Sequence, residues 1–184
     1  DTLHQIKGAY SLVILTNKKL IGVRDPFGIR PLVLGDKNGS PVLASETCAL
    51  DMIGAKYIRD IENGEIVVIT ESGMESIKPF KKIPERPCIL ESIYFASPDS
   101  IVGNKTVYTY RKALGEQLAI ENNIIADVVV PIPDSGVSAA IGFSQNSKIP
   151  FELGIIRSHY VGRTFIEPSQ TIRQFGVKLK HSVN

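Results

Sequence analysis

The chain has 184 residues, 43% of them hydrophobic, and a net charge of +2 at pH 7. This length suits one large domain or two modest ones, and the apolar content is enough for a buried core. No apolar run is long enough to cross a bilayer, and no signal peptide is recognisable. The small net charge gives no reason to expect nucleic acid as a partner, and two cysteines without metal-ligand spacing favour a reducing cytoplasm.

Residues 8–78 have the pattern of a β-rich region. Apolar runs between turn-forming residues predict strands at Ala9–Thr16, Lys19–Val23, Pro31–Leu34, Pro41–Ala44, Gly64–Thr70 and Met74–Lys78. Short strands joined by tight turns, such as Gly35–Ser40, favour an antiparallel meander. One helix is predicted over Thr47–Ile53, with Ser45 as its N-cap and Gly54 as its end.

The stretch Lys81–Pro87 is rich in proline and charge, which predicts a linker. We therefore divide the chain into two domains, residues 1–85 and residues 86–184. In the second, the residue pattern predicts a helix over Val107–Glu121, a strand over Asp127–Ile132, a helix over Gly136–Ser147 and a strand near Phe151–Ile156. Strands that alternate with helices indicate βαβ units and a parallel sheet. The first helix has an apolar face of Val107, Tyr110, Leu114 and Leu118.

Pro131–Gly136 is the first candidate site, because it ends an apolar strand on small polar residues. In open α/β sheets, ligands bind at the carboxyl ends of strands, where helix N-termini offer free N–H groups. The Ser135 hydroxyl can bind a hydrated Mg²⁺, and the amides that follow can hold phosphate. The alternative is that Asp134 or Ser135 only caps the next helix.

Arg157–Ile166 is the second candidate, a basic segment with a flexible joint at Gly162. From Arg157 onward, the chain has five Lys or Arg residues against one acid. Arginine grips phosphate through a bidentate fork, and the aromatic residues of the segment would exclude water if it closed as a lid. The alternative is an ordinary basic surface loop. No basic helix or repeated aromatic platform supports nucleic-acid binding.

Arg24–Pro31 predicts a rigid turn with an Arg–Asp contact. Cys48 and Cys88 have the context of small buried hydrophobic residues, since an iron–sulfur cluster needs about four thiolates. His4, His159 and His181 lack ligand spacing. From the residues alone, we therefore expect this turn, the two cysteines and the three histidines to have structural roles rather than catalytic or ligand-binding ones.

Six phrases occur in a familiar order: Lys7–Val13, Arg24–Leu32, Ala44–Leu50, Ile93–Ser100, Val130–Ser135 and Tyr160–Ile166. Together they resemble the glutamine phosphoribosylpyrophosphate amidotransferases, or amidophosphoribosyltransferases, of de novo purine synthesis. The phrase Tyr160–Ile166 is highly specific to this family, whereas Arg24–Leu32 is shared with other glutamine amidotransferases. The resemblance implies an α+β Ntn-hydrolase (αββα) glutaminase domain, in part, over residues 1–85. It implies an α/β type I phosphoribosyltransferase domain, also in part, over residues 86–184.

The resemblance also implies an activity. Ammonia released from glutamine passes through a channel to phosphoribosylpyrophosphate, and the products are 5-phosphoribosylamine, glutamate and pyrophosphate. The expected cofactors are Mg²⁺ and, in the iron–sulfur branch of the family, one 4Fe–4S cluster. The expected partners are glutamine, phosphoribosylpyrophosphate, purine nucleotide inhibitors and further copies of the chain, in the cytoplasm, with no nucleic acid and no membrane.

Residue roles follow from the same resemblance. Ser135 corresponds to a contributor to the Mg²⁺ site, and Cys88 stands either at the first cluster ligand or at a cysteine that cluster-free members also carry. Tyr94 and Ile166 correspond to residues near the ammonia route. The loop that closes over the phosphoribosyl donor is implied to bind it through Arg157, His159, Tyr160, Gly162, Arg163 and Thr164.

The sequence departs from the family pattern in several places. Ser97 stands where arginine is usual, and Ser158–His159 replaces an Asn–Arg pair. The N-terminal cysteine nucleophile and the acidic phosphate loop of the family are not found, so we expect an internal fragment that is inactive alone. Two other readings stay open: a glutamine amidotransferase like glucosamine-6-phosphate synthase, and a non-catalytic nucleotide-binding regulatory module.

Overall fold

A computed structural model describes residues 2–184, which form two compact units divided between Val107 and Tyr108. Each unit mixes helices and strands. The first contains β1 (Ser11–Leu15), β2 (Leu20–Arg24), β3 (Val33–Lys37), β4 (Ser40–Ala44), α1 (Thr47–Met52), β5 (Lys56–Asp60), β6 (Ile66–Thr70), β7 (Gly73–Ile77), β8 (Ile101–Val102) and β9 (Lys105–Thr106). The second contains all but the first residue of α2 (Val107–Glu121), then α3 (Val137–Ser147), β10 (Ile155–Arg157), α4 (Gln170–Lys180) and β11 (His181–Val183). Residues 86–107, beyond the predicted boundary, lie in the first unit.

Two antiparallel sheets build the first unit, in the orders β1-β2-β6-β7 and β4-β3-β5. The predicted meander is therefore wrong in its connectivity, because the chain leaves the first sheet after β2 and returns only in β6. The sequence pattern also misses β5, since nearly all of its side chains are exposed and show no alternation. One buried apolar cluster consists of Leu32, Leu34, Ile61, Val67 and Ile69, and a second of Val33, Leu50 and Ala55.

The β3–β4 hairpin is tighter than predicted. Gly35–Ser40 was expected to be a turn, but its first three residues extend β3 and only Asn38 and Gly39 make the reversal. Both turn residues have positive φ, at 54° and 85°. A two-residue hairpin turn with two positive φ angles favours Asn-Gly, which is the pair found here.

The helix α1 begins at Thr47, as predicted, and ends before Gly54, but its N-cap differs from the predicted one. Gly54, at φ 68°, follows the last turn and donates its N–H to Asp51. Its N-cap is Glu46 rather than Ser45, and no side chain caps the helix. The Glu46 carboxylate instead accepts hydrogen bonds from residues far along the chain, which no local rule predicts.

The helix α2 has the predicted bounds but a different buried face. Arg111 and Gly115 are buried, whereas Leu114 and Leu118 are 40% and 51% exposed. The reason is close packing against α3 at a glycine: a Cβ added to Gly115 would lie 1.8 Å from the Ala139 carbonyl oxygen. Backbone contact of this kind requires glycine and overrides the apolar stripe.

The predicted parallel sheet is largely absent from residues 2–184. Its first strand, Asp127–Ile132, is reduced to one parallel bridge between Val129 and Phe151. The end of its second strand forms β10, which pairs antiparallel with β11. Parallel sheets occur where helices cover both of their faces, and among the described residues the parallel pairing is limited to this one bridge. No helix among them has both the length and the apolar character needed to cross a membrane.

Candidate functional site

The turn after β2 is built on a buried carboxylate. Asp25 is fully buried and accepts hydrogen bonds from the amides of Phe27, Ile29 and Arg30, at 3.0–3.1 Å. Arg24 donates to the carbonyl oxygens of Ile61 at 2.7 Å and of Arg30 at 2.9 Å. The predicted Arg–Asp contact is therefore replaced by bonds from each side chain to the backbone. These bonds fix the position of the Arg30 backbone.

Residues 86–101, called the strap below, lie on this turn. The Arg86 amide donates to the Phe27 carbonyl oxygen at 2.8 Å. The Arg30 guanidinium forms an ion pair with Glu91 and lies 4.8 Å from the centre of the Phe95 ring. Glu91–Phe95 is a single π-helical turn, a rare form that is frequent at functional sites. Arg30 thus joins the turn after β2 to the helical part of the strap.

The far end of the strap is attached to α1. The Glu46 carboxylate accepts the Ser97 amide at 2.7 Å and the Ser100 hydroxyl at 2.8 Å. The Thr47 hydroxyl accepts the Ile101 amide at 2.8 Å. Hydrogen bonds to a charged acceptor contribute about 1.5–3 kcal/mol each, roughly twice a neutral bond.

Two residues assigned by resemblance lie on the strap. Tyr94 is 69% exposed, and its ring packs edge-to-face with the Phe95 ring, with the two ring centres 5.6 Å apart. Cys88 is a free, half-buried thiol that lines a cavity of about 100 Å³ beneath the strap. Within residues 2–184, no group of three His, Cys, Asp or Glu side chains converges as a metal site. The described residues alone therefore do not provide a ligand set for a cluster.

In the second unit, the structure brings two of the candidate segments together. Arg157, at the end of β10, forms an ion pair with Asp134, beside Ser135. Ser135 is exposed, and the N-cap of α3 is Gly136 without a side-chain cap, so the capping alternative is wrong. The Arg157 Nε atom is buried and has no hydrogen-bond partner. Asp134 is thus the residue that orients the Arg157 guanidinium.

The segment that follows Arg157 is held against α4 at its base. Thr164 is 6% exposed and its methyl group packs against Gly176, while Lys180 donates to the Gly162 carbonyl oxygen at 3.0 Å. The remaining predicted binding residues point outward: His159, Gly162 and Arg163 are exposed, and Tyr160 is fully so. Ile166 is 74% exposed. Thr164 therefore anchors the loop, and the other side chains are free for a ligand.

Sequence reasoning missed the residues that hold these segments. Arg30, Glu46 and Asp134 act on partners 23 to 61 positions away along the chain. Contacts at such separations leave no mark in local periodicity. Asp134 was placed in the first candidate site and weighed as a helix cap, but its contact with Arg157 was not predicted, and Arg30 and Glu46 carried no prediction of their own.

Comparison with known proteins first defines a class. A profile of the glutamine amidotransferase domain matches residues 1–52. This agrees with the mixed α/β fold of the first unit and with the shared phrase Arg24–Leu32. The chain is thus related to glutamine amidotransferases.

The comparison also defines the family. The amidophosphoribosyltransferase of Rhizobium etli is 59% identical over 189 residues, covering 100% of this chain and 38% of that protein. The Bacillus subtilis amidophosphoribosyltransferase is 46% identical over 182 residues, covering 99% and 38%. A solved structure, glutamine phosphoribosylpyrophosphate amidotransferase from B. subtilis complexed with ADP and GMP, aligns with a TM-score of 0.89 and 46% identity over 99% of this chain and 40% of that one. The chain belongs to the amidophosphoribosyltransferase family, and it spans about two fifths of the length of these relatives.

Proposed function

We propose that the chain takes part in the amidophosphoribosyltransferase reaction. Hydrolysis of the glutamine amide gives glutamate and ammonia. The ammonia nitrogen then forms a bond to the anomeric carbon of phosphoribosylpyrophosphate as the bond to pyrophosphate breaks, and 5-phosphoribosylamine results. The observation that carries this proposal is the 59% identity to the R. etli enzyme along the whole chain, through both the strap and the loop after Arg157.

We assign the two halves of this reaction to the two parts of the chain. The antiparallel sheets and the amidotransferase match support an Ntn-hydrolase glutaminase fold for residues 1–85. The parallel bridge and the helices α2 and α3 support a type I phosphoribosyltransferase fold for residues 86–184.

The loop after Arg157 has the chemistry that a phosphorylated donor requires. Arg163 is exposed and carries a planar fork of N–H donors that matches phosphate oxygens. Arg157 and Asp134 meet beside Ser135, so a cation and a hydroxyl lie next to each other where α3 begins. Tyr160, Phe165 and Ile166 are at least 74% exposed, and closure of the loop would bury them and exclude water from the reacting bond.

The cofactors belong to the same proposal. Ser135 would contribute one hydroxyl to a Mg²⁺ ion, which would neutralise pyrophosphate charge when bound. Cys88 would be one ligand of a 4Fe–4S cluster, but such a cluster needs about four thiolates and the chain has two cysteines, so we assign it no step.

The proposed partners are glutamine, phosphoribosylpyrophosphate, purine nucleotides and further copies of the chain in a homo-oligomer. A relative was solved with ADP and GMP, which supports nucleotide binding. We place the protein in the cytoplasm, in keeping with its two unpaired cysteines. Some relatives are named as chloroplastic, among them that of Glycine max.

The direct test is to supply the full-length gene product with glutamine, Mg²⁺ and phosphoribosylpyrophosphate. Glutamate, pyrophosphate and 5-phosphoribosylamine should appear in equal amounts. Amination of fructose 6-phosphate would instead support the glucosamine-6-phosphate synthase alternative, and nucleotide binding without turnover would support the regulatory module.

Arg163 gives the test its residue-level control. Arg163→Ala should raise the KM for phosphoribosylpyrophosphate at least about tenfold, because a charge-assisted bond to phosphate contributes about 1.5–3 kcal/mol. The KM of Arg163→Lys for phosphoribosylpyrophosphate should lie between those of the unaltered protein and of Arg163→Ala. Lys82→Ala, which removes an exposed charge from the linker, should leave this KM unchanged.

A further inference from the structure

The strap poses a structural question about Tyr94. This side chain is 69% exposed, and its ring contact within the strap is with its neighbour Phe95. An aromatic side chain that is mostly in water has little packing of its own to fix its orientation. The position of Tyr94 therefore depends on whatever holds the strap on either side of it.

On one side, the support is Arg30. Its guanidinium pairs with Glu91, one turn before Tyr94, and lies over the Phe95 ring at 4.8 Å. The Phe95 ring in turn contacts the Tyr94 ring, with the two ring centres 5.6 Å apart. The Glu91 side chain is 13% exposed and the Arg30 side chain 40%, so water screens this ion pair only partly less than it screens a fully exposed pair. Arg30 thus reaches Tyr94 through a single intervening ring.

On the other side, the support is Glu46. One carboxylate oxygen accepts both the Ser97 amide and the Ser100 hydroxyl. Ala96, between the two supports, is 4% exposed, and Ser100, which Glu46 holds, is 1% exposed. The Arg30 support acts at residues 91 and 95 and the Glu46 support at residues 97 and 100, so Tyr94 lies between two attached points.

We propose that Arg30 and Glu46 are positioning residues, which hold the strap on the rest of the first unit so that Tyr94 keeps a fixed orientation during the transfer of ammonia. This inference rests on the proposed function for its consequence but not for its geometry. Neither residue touches the reacting atoms. Both act through the strap, and they should therefore matter for nitrogen that comes from glutamine and not for ammonia supplied from solution.

The nitrogen-source comparison tests this consequence in the full-length gene product. Arg30→Met and Glu46→Ala should each lower the glutamine-dependent rate of 5-phosphoribosylamine formation about tenfold, as the loss of a charge-assisted bond predicts. The rate with added ammonium chloride should change less than about twofold in both variants. Equal losses with both nitrogen sources, or no loss with either, would overturn the proposal.

Conservative variants separate positioning from general damage. Glu46→Gln keeps an acceptor oxygen for the Ser97 amide and should restore most of the glutamine-dependent rate. Arg30→Lys keeps the charge but lacks the planar face that stacks on Phe95, and should restore only part of it. The matched control is Glu71→Gln in the β6–β7 turn, an exposed carboxylate whose change should leave both rates unaltered.

A spectroscopic measurement tests the geometry without turnover. In protein labelled with fluorotyrosine, the Tyr94 signal is identified by its loss in Tyr94→Phe, and it should shift and broaden in Arg30→Met and in Glu46→Ala. An unchanged Tyr94 signal would overturn the positioning role. If the unaltered protein forms no product from either nitrogen source, the proposed function fails, and this signal still decides whether Arg30 and Glu46 hold Tyr94.

Discussion

The strap and the loop at 158–166 are both irregular segments that carry residues assigned to function, yet the structure treats them differently. The strap is attached at two points by charged side chains of the first unit: Arg30 contacts its helical turn at Glu91 and Phe95, and Glu46 binds it at Ser97. The loop is attached at its base, by Thr164 and by the Lys180 bond, and exposes its aromatic and arginine side chains.

This difference matches what each segment is proposed to do. A residue beside a fixed route needs one orientation, which buried hydrogen bonds to a carboxylate provide. A lid needs two positions, and it therefore carries few contacts that closure would have to break. An irregular backbone alone does not distinguish a fixed segment from a lid. The number and charge of the hydrogen bonds and ion pairs that hold the segment do.

The largest expected effect concerns the close packing of α2 and α3, in the unit that carries the loop. Gly142→Val would place a Cβ 2.0 Å from the Lys112 carbonyl oxygen and force α2 and α3 apart. We expect a loss of about 3 kcal/mol or more in the free energy of unfolding of the second unit, as for severe overpacking. Denaturant titration followed by segment-resolved hydrogen exchange should find the loss in residues 108–184.

Gly162→Ala is the matched control for that change. No atom lies within 4 Å of a Cβ added there, and the residue does not have positive φ. Its free energy of unfolding should stay within about 0.5 kcal/mol of the unaltered protein. An equal loss in both variants would refute the close approach of the two helices.

The next effect concerns the first unit, which contains the strap. Glu65 is fully buried, and burial alone would raise the pKa of its carboxyl group. Hydrogen bonds from Arg59, Ser76 and the Glu62 amide outweigh burial and lower this pKa to about 2. Because the folded-state pKa lies below the ordinary glutamate value of 4.5, the stabilisation is complete above about pH 4.5 and is lost as pH falls towards 2.

Glu65→Gln tests this stabilisation. At pH 7 the variant should lose about 2–3 kcal/mol in its free energy of unfolding, reduced from the full linkage value because Arg59 is partly exposed. Near pH 2 the difference between the variant and the unaltered protein should shrink. A difference that stays constant from pH 7 to pH 2 would contradict the lowered pKa. The control is Glu75→Gln, an exposed carboxylate on β7.

The smallest effect concerns the base of the loop. Thr164→Ser removes the methyl group that packs against Gly176, at a cost of about 0.8 kcal/mol for one buried carbon. Limited proteolysis should cut the loop at 158–166 faster, while cleavage of the strap stays unchanged. Faster cleavage of both segments would mean that Thr164 supports the whole fold rather than the loop.

Particular residues explain how far the sequence alone could reach. The bounds of α2 and the end of α1 at Gly54 follow from local rules, since apolar spacing and a positive-φ glycine act within a few residues. The buried face of α2 does not, because a backbone contact at Gly115 decides it. The family and the loop residues were recognisable from short phrases, but the partners of Arg30, Glu46 and Arg157 depend on the folded arrangement.

Amide hydrogen exchange of the full-length protein tests the contrast between the two segments most directly. The amides of Ser97 and Ile101 donate to side chains of α1 and its cap, and should exchange at least about tenfold more slowly than those of Gly162 and Arg163. The Glu46→Ala change should remove the protection at Ser97 and leave the loop unaffected. Equal exchange rates in the strap and the loop would contradict the account.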